Sequence, residues 1–202
     1  MEREDLFSHL KFNTQVLTTK ELEVAFRAVD RARFLEEQYL PEAYEDYAVP
    51  IGFGKMLAKP TILAFMLELL APAAGHRVME IPSGSGYGLA LLSHIVGEKG
   101  RVYGIEKEAE LRESSKMALE EYGFSNFEII SPSPKIGLPD EAQFDRILIM
   151  ASLPEVHEDL VSQLRDGGIM VLAFEDSIVQ VKKIRKNKTE ERFFQGFHLD
   201  SL

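Results

Sequence analysis

The 202-residue chain has no cysteine and no tryptophan. Without a thiol there can be no disulfide scaffold, no thiolate metal site and no cysteine nucleophile. A basic surplus is also missing: 23 Lys and Arg stand against 33 Asp and Glu, a net charge of −10. A phosphate backbone would find too few cations to neutralise it, so no nucleic-acid partner is expected. No apolar run approaches the roughly 20 residues of a membrane span, and the opening Met-Glu-Arg-Glu-Asp carries no apolar signal region. No membrane contact and a cytoplasmic location are therefore expected. One local exception is the cluster Lys182, Lys183, Arg185, Lys186 and Lys188, which reads as a solvated hairpin. The histidines (His9, His76, His94, His157, His198) show no ligand spacing, and no metal site is expected.

The length suits one domain, and 45% hydrophobic with 28% charged residues is ordinary for a globular chain. Residues 1–40 read as helical. Thr18 and Thr19 offer an N-cap, and Leu22, Ala25, Phe26 and Val29 form an apolar stripe with Arg27, Asp30 and Arg31 outward. Phe34 and Leu35 close that face. Prolines and glycines across 41–60 resist a regular element, which predicts an ordered loop. Pro60 then opens a buried helix ended by Pro72 and Gly75.

From residue 77 strands and helices alternate: strand 77–81, helix 87–96, strand 101–106, helix 109–122, strand 127–130. A Pro/Ser loop leads to strand 144–150, helix 155–164, a turn at Gly167-Gly168 and strand 169–174. A hairpin over 178–185 and 191–199, turning at 186–188, closes the chain. Apolar strands alternating with helices predict an α/β architecture, a parallel sheet covered on both faces with antiparallel strands at one side. The expected division is a helical segment and loop over 1–60, packed on an α/β domain over 61–202 as one unit. Nothing in the sequence fixes an oligomeric state; a monomer is the expectation.

In such sheets ligands bind beyond the carboxyl ends of the strands, where strand order reverses. There the sequence places Glu80-Ile-Pro-Ser-Gly-Ser-Gly-Tyr87, a strand released into a small-residue turn. Glycine there admits positive φ and a close backbone approach to a ligand. Glu106 ends the next strand, at the distance where a carboxylate can accept hydrogen bonds from both hydroxyls of a ribose. Glu80 is an acid inside an apolar strand, able to hold turn amides, a ligand amino group or a buried base; it is not expected to be unpaired. No phosphate-loop pattern occurs, and the turn fits Gly-x-Gly-x-x-Gly poorly.

Glu80 to Tyr87 is similar to the Glu-Ile-Gly-Thr-Gly-Ser-Gly-Tyr motif of protein-L-isoaspartate O-methyltransferases. Phe26-Arg-Ala-Val-Asp-Arg-Ala-Arg-Phe34 resembles that family's Phe-x-x-Val-x-Arg-x-x-Phe helix. Ala43-Tyr-Glu-Asp-Tyr-Ala-Val-Pro-Ile-Gly52 resembles its Ala-Tyr-x-Asp-x-x-Leu-Pro-Ile-Gly segment. Gly100 to Glu106, Phe144 to Ile147 and Leu164 to Gly168 line up in the same order. The resemblance implies a class I S-adenosylmethionine-dependent methyltransferase fold, Rossmann-like, with a mostly parallel seven-stranded sheet and an antiparallel C-terminal hairpin. It implies S-adenosylmethionine as cofactor and S-adenosylhomocysteine as product. The acceptor would be the α-carboxylate of an isoaspartyl residue in a peptide or protein, whose ester cyclises to a succinimide during protein repair. The cofactor positions carried over are Glu80, Pro82, Ser83, Gly84, Ser85, Gly86, Glu106 and Ser133.

The chain departs from the family at four of its functional positions. The substrate loop Gly-Gln-Thr-Ile-Ser-x-Pro is here Gly54, Lys55, Met56, Leu57, Ala58, Lys59 and Pro60, so the family serine falls on Ala58 and its threonine on Met56. Both hydroxyls suited to a substrate carboxylate are absent. Pro82 replaces the first motif glycine, fixing φ and removing an N–H. The acidic Gly-Asp-Gly turn beside adenine maps onto Pro132-Ser133-Pro134. Two readings stay open on the sequence. One is a methyltransferase with a rebuilt substrate site in which Lys55 and Lys59 supply positive charge. The other is a non-catalytic module of the same fold that acts as a binding protein.

Overall fold

A computed structural model describes residues 1–186 and 188–197. The helical lead-in is α1 (Arg3–Ser8), a π-helical turn over His9–Asn13, and α2 (Lys20–Ala28). Thr19 occupies the N-cap of α2 without a side-chain bond. The backbone N–H groups of Thr18 and Thr19 instead donate to Glu68 Oε1 at 2.6 and 2.8 Å, which ties the start of α2 to the body of the protein. The helix stops at Ala28, and the chain bends through a 3-10 turn at Arg31–Phe34. Arg31 is consequently not outward: it is 2% exposed. The loop predicted over 41–60 carries a small antiparallel ladder, β1 (Val49–Pro50) with β2 (Met56–Leu57).

The body follows with α3 (Pro60–Leu70), β3 (Arg77–Ile81), α4 (Tyr87–Val96), β4 (Arg101–Ile105), α5 (Ala109–Glu121) and β5 (Phe127–Ile130). Then come β6 (Phe144–Ser152), α6 (Glu158–Gln163), β7 (Leu164–Phe174), β8 (Ser177–Arg185) and β9 (Lys188–Gln195). The large sheet has seven strands in the order β5-β4-β3-β6-β7-β8-β9. Its first five are parallel, while β8 and β9 are antiparallel. The chain runs outward from β3 to β5 and returns to β6 on β3's other side, so strand order reverses between β3 and β6.

β6 runs on to Ser152 and β9 begins at Lys188, both beyond the expected bounds, and two boundaries near Gly167 differ for one reason. Leu164 pairs with Phe144 and Ile169 with Arg146, so β7 starts before Gly167-Gly168 and the glycines sit in a bulge rather than a turn. That claims Leu164 for the sheet and shortens α6. Asn187 and residues 198–199 of the predicted hairpin lie outside the described residues. Of the basic run on β8, Lys182 lies opposite Glu190 of β9, Lys183 opposite Thr189 and Arg185 opposite Lys188.

Alternation along the strands divides the core. Val78, Leu148 and Val171 face α2, α3 and α4, with Leu10, Phe26 and Leu67 among that layer. Met79, Ile81, Ile147, Ile149 and Leu172 face the opposite side, under α6 and Leu160. Glu80 lies between Val78 and Gly88 on the α4 side. The amino ends of the strands are knit by side chains: the N–H of Arg77 donates to Asp145 Oδ2 (2.7 Å), and Arg165 Nε to Asp145 Oδ1 (2.6 Å). Asn126 Nδ2 donates to the carbonyls of Ser93 and Gly97, both at 2.9 Å. The carboxyl ends of the strands border a cleft.

Candidate active site

The turn after β3 is held by its own backbone. The N–H of Ser83 donates to the Ile105 carbonyl and that of Gly86 to the Ser83 carbonyl, both at 2.9 Å. The Ile81–Pro82 peptide is cis. Gly86 has φ +89°, and a Cβ there would lie 2.6 Å from Ser115 Cβ, so glycine lets the turn pack on α5. Gly88 is required for a different reason. A Cβ on it would stand 2.1 Å from Glu80 Oε1, so its bareness is what lets the carboxyl lie against the first turn of α4.

Glu80 is 2% exposed, and its Oε2 has no hydrogen-bond partner among the described residues. Of the partners expected for this acid, no protein group takes Oε2 among the described residues, and the ligand amino group stays open; burial pushes the carboxyl well above the usual range, so the neutral form suits the site. The hydroxyls of Ser83 and Ser85 are likewise buried and unpartnered.

Glu106 is wholly buried just past β4. Its Oε2 accepts from the N–H of Gly84 (3.0 Å) and its Oε1 from the N–H of Glu108 (2.9 Å). The third donor comes from across the cleft: Lys55 Nζ forms an ion pair with Glu106 Oε1. Lys59 pairs with Asp46 at 3.3 Å. Asp46 also accepts from the Thr61 N–H (2.9 Å), the Thr61 hydroxyl (2.7 Å) and His9 Nε2 (3.1 Å). Burial would raise the Asp46 pKa, but the Thr61 hydrogen bonds, the Lys59 charge and His9 outweigh it and leave the carboxyl below its ordinary value.

A cleft of about 880 Å³ separates the two walls. Residues 54–59 and Asp46 line one side, and Glu80, Pro82, Ser83, Gly84 and Ser85 the other, with Met150 and Ala151 at the floor. Most of the predicted site thus converges. Three positions stand elsewhere: Gly86 packs on α5, Glu106 is sealed behind Lys55, and exposed Ser133 donates its hydroxyl to the Lys135 carbonyl (3.0 Å) while Pro132 takes the wall.

Arg31 and Gly88 escaped the sequence reading. Arg31 Nη1 donates to the Ala58 carbonyl (2.9 Å), and its guanidinium lies 5.7 Å from the ring centroid of Tyr87, the residue that opens α4. Burial lowers its pKa to about 10. One buried cation therefore braces both the loop bearing Ala58 and the glycine turn. A polar residue two past the end of an apolar stripe was the available signal.

A doubly covered sheet reversing between β3 and β6, a small-residue turn after its first parallel strand and an acid after its second define the class I S-adenosylmethionine-dependent methyltransferase fold. A solved protein-L-isoaspartate O-methyltransferase superposes with TM-score 0.86 over 100% of this chain and 66% of that one, at 25% identity. The Plasmodium falciparum structure of that description, in complex with S-adenosyl-L-homocysteine, also gives 0.86, covering 100% and 98% at 22% identity, a likeness of fold. Protein-L-isoaspartate O-methyltransferase from Fervidobacterium nodosum is 34% identical over 186 residues, 92% of each chain. That from Anaeromyxobacter dehalogenans is 41% identical over 149 residues, 73% of this chain and 70% of its own. The family model described as protein-L-isoaspartate(D-aspartate) O-methyltransferase matches residues 1–197, and the chain belongs to that family.

The donors present fit the family cofactor. Glu80 Oε2 is a buried acceptor without a donor, as an amino-acid ammonium requires, and the Ser83 and Ser85 hydroxyls lie unused beside it. Glu106 suits a ribose once Lys55 leaves it.

Proposed function

We propose that this chain binds S-adenosylmethionine in the cleft and methylates a carboxylate, the α-carboxylate of an isoaspartyl residue in a peptide or protein. The observation that carries the reading is the pair of buried acids beside the glycine turn: Glu80 lines the cleft opposite the 54–59 loop, and Glu106 holds the Gly84 N–H behind Lys55 of that loop. When bound, the cofactor supplies a sulfonium methyl already activated for transfer. The acceptor is a carboxylate, ionised at neutral pH, so no side chain need remove a proton. The work left to the protein is alignment and exclusion of water. Glu80 would hold the amino-acid ammonium, ionising as the cation arrives, and Glu106 the ribose. Residues 54–59 would cover the acceptor.

The family hydroxyls being replaced by Met56 and Ala58, the acceptor carboxylate is met by charge. Lys55 lies on the cleft wall with part of its side chain exposed. Lys59 pairs with Asp46, which caps α3, whereas the partner of Lys55 is the carboxylate a ribose would take, so Lys55 is the cation assigned to the acceptor.

The Lys55–Glu106 ion pair also favours a second reading, a non-catalytic module whose ribose site is closed by its own lysine. Titration with S-adenosylhomocysteine separates the two. Micromolar binding supports the enzyme, and no heat at millimolar ligand sinks it. Given binding, methyl transfer to an isoaspartyl peptide tests the acceptor. Ala58→Ser is expected to raise that rate, and an unchanged rate removes the missing hydroxyl as its limit.

A further inference from the structure

Glu106 holds three donors of unequal permanence. The N–H groups of Gly84 and Glu108 are backbone and stay in place when a ligand enters. Lys55 reaches the carboxylate from the facing wall, on a side chain 27% exposed. Its backbone is fixed: the Lys55 N–H donates to the Gly52 carbonyl (2.8 Å), and its carbonyl accepts from the Ile51 N–H (3.0 Å). Between those bonds Gly52, Phe53 and Gly54 all take positive φ, at 85°, 55° and 71°, a tight turn that holds the root of the lysine in one place. The part free to move is the four-carbon stem with its ammonium.

A carboxylate has about four lone-pair sites, and a ribose diol needs two of them. The two backbone donors leave room for the diol only when Lys55 has gone. The ammonium then keeps its root on the cleft wall beside Met56 and Ala58 and has lost its counter-ion. An unpaired cation at the mouth of a half-buried cleft is a receptor for an anion.

We infer that Lys55 is the specificity-determining residue for the acceptor, and that the cofactor's ribose delivers it by displacing it from Glu106. The inference rests on the cofactor reading above. Two properties follow. The lysine competes with the ribose, so it weakens cofactor binding. The acceptor carboxylate finds its cation only after the cofactor has bound, so binding is ordered, cofactor first.

The test is calorimetry of the full chain with S-adenosylhomocysteine, then fluorescence anisotropy of a labelled isoaspartyl peptide with and without it. Lys55→Met and Lys55→Gln are compared with the wild-type chain, each shown to be folded by circular dichroism. Both variants are expected to bind S-adenosylhomocysteine about tenfold more tightly, the worth of one charge-assisted hydrogen bond from a partly exposed lysine to a buried carboxylate. Wild-type affinity should rise with added salt, which weakens the competing ion pair, while the variants' affinity stays flat. Peptide binding to the wild-type chain should require S-adenosylhomocysteine, and the variants should gain little from it. Equal or weaker S-adenosylhomocysteine binding by the variants overturns the displacement, and so does peptide binding that ignores the nucleoside. Absence of S-adenosylhomocysteine binding by wild type and variants alike removes the cofactor reading itself. Tighter nucleoside binding with unaltered peptide binding overturns the acceptor role.

Discussion

Gly88→Ala is ordinarily a favourable change, because alanine in a helix is worth about 0.5–1 kcal/mol over glycine. Here the sign should reverse. The new Cβ would lie 2.1 Å from Glu80 Oε1, 2.8 Å from its Cδ and 2.9 Å from its Oε2. Glu80 has nowhere to retreat: its backbone is paired with Gly104 on β4 and with Leu148 on β6, both in the middle of the sheet. Either α4 lifts or the carboxyl leaves its rotamer, and such overpacking costs about 1–3 kcal/mol. Since Gly88 sits in the first turn, where helix propensity counts least, we expect a net loss of about 1–2 kcal/mol. At this chain length that is a fall in Tm of roughly 2–8 °C.

Urea unfolding with an unchanged m-value measures the loss directly. The decisive comparison is a double-mutant cycle. Glu80→Ala removes the clashing atoms, and in that background Gly88→Ala should become neutral or stabilising, a coupling of at least about 1 kcal/mol. If Gly88→Ala is as stable as the parent, or costs the same with and without Glu80, the contact between α4 and this carboxyl is not what demands glycine.

Two further outcomes follow from the buried charges. Burial raises the Glu80 pKa above its ordinary 4.5, so folding favours its protonated form and its contribution to stability is lost as pH rises from about 4.5 toward the folded value. Glu80→Gln does not titrate, and its stability relative to the wild-type chain should climb between pH 4 and pH 8; a difference constant across that range refutes the assignment. Arg31→Met strips the Ala58 carbonyl of its donor, and a loss of about 2–4 kcal/mol with faster proteolysis around residues 54–59 is expected. A chain that keeps its Cm and its protease pattern would show that the loop does not depend on Arg31.

The scaffold was legible because it is written locally. Strand 77–81, helix 87–96 and strand 127–130 fall where apolar runs and breakers put them, and their alternation predicts a parallel sheet, whose reversal between β3 and β6 comes from the pairing. The bulge at Gly167-Gly168 was not legible, since a glycine pair marks a turn and a bulge alike, and only the pairing of Leu164 with Phe144 decides. In the site, Glu106 could be placed by its spacing from the glycine turn. Its partner Lys55 could not, because that contact depends on how a loop folds over the sheet. For Glu80 the sequence left three partners open, and its burial without a protein partner for Oε2 narrows them toward a ligand. Arg31 misled through geometry, as the helix that would have turned it outward ends at Ala28.

The stitching of the sheet has a consequence for how such a chain can change. At the amino ends Asp145 and Asn126 each hold two partners, so a substitution there frees two groups at once. At the carboxyl ends Glu106 and the glycine turn serve the fold, while the side chains of residues 54–59 and Ser133 lie at the cleft or in solvent. Ala58, Met56 and Ser133 could depart from the family pattern there without unseating a strand. Mutational tolerance is thus confined to the facing loop and the turn at Ser133, and a library that seeks new acceptors should randomise those side chains and leave the glycine turn, Glu106 and the amino ends untouched.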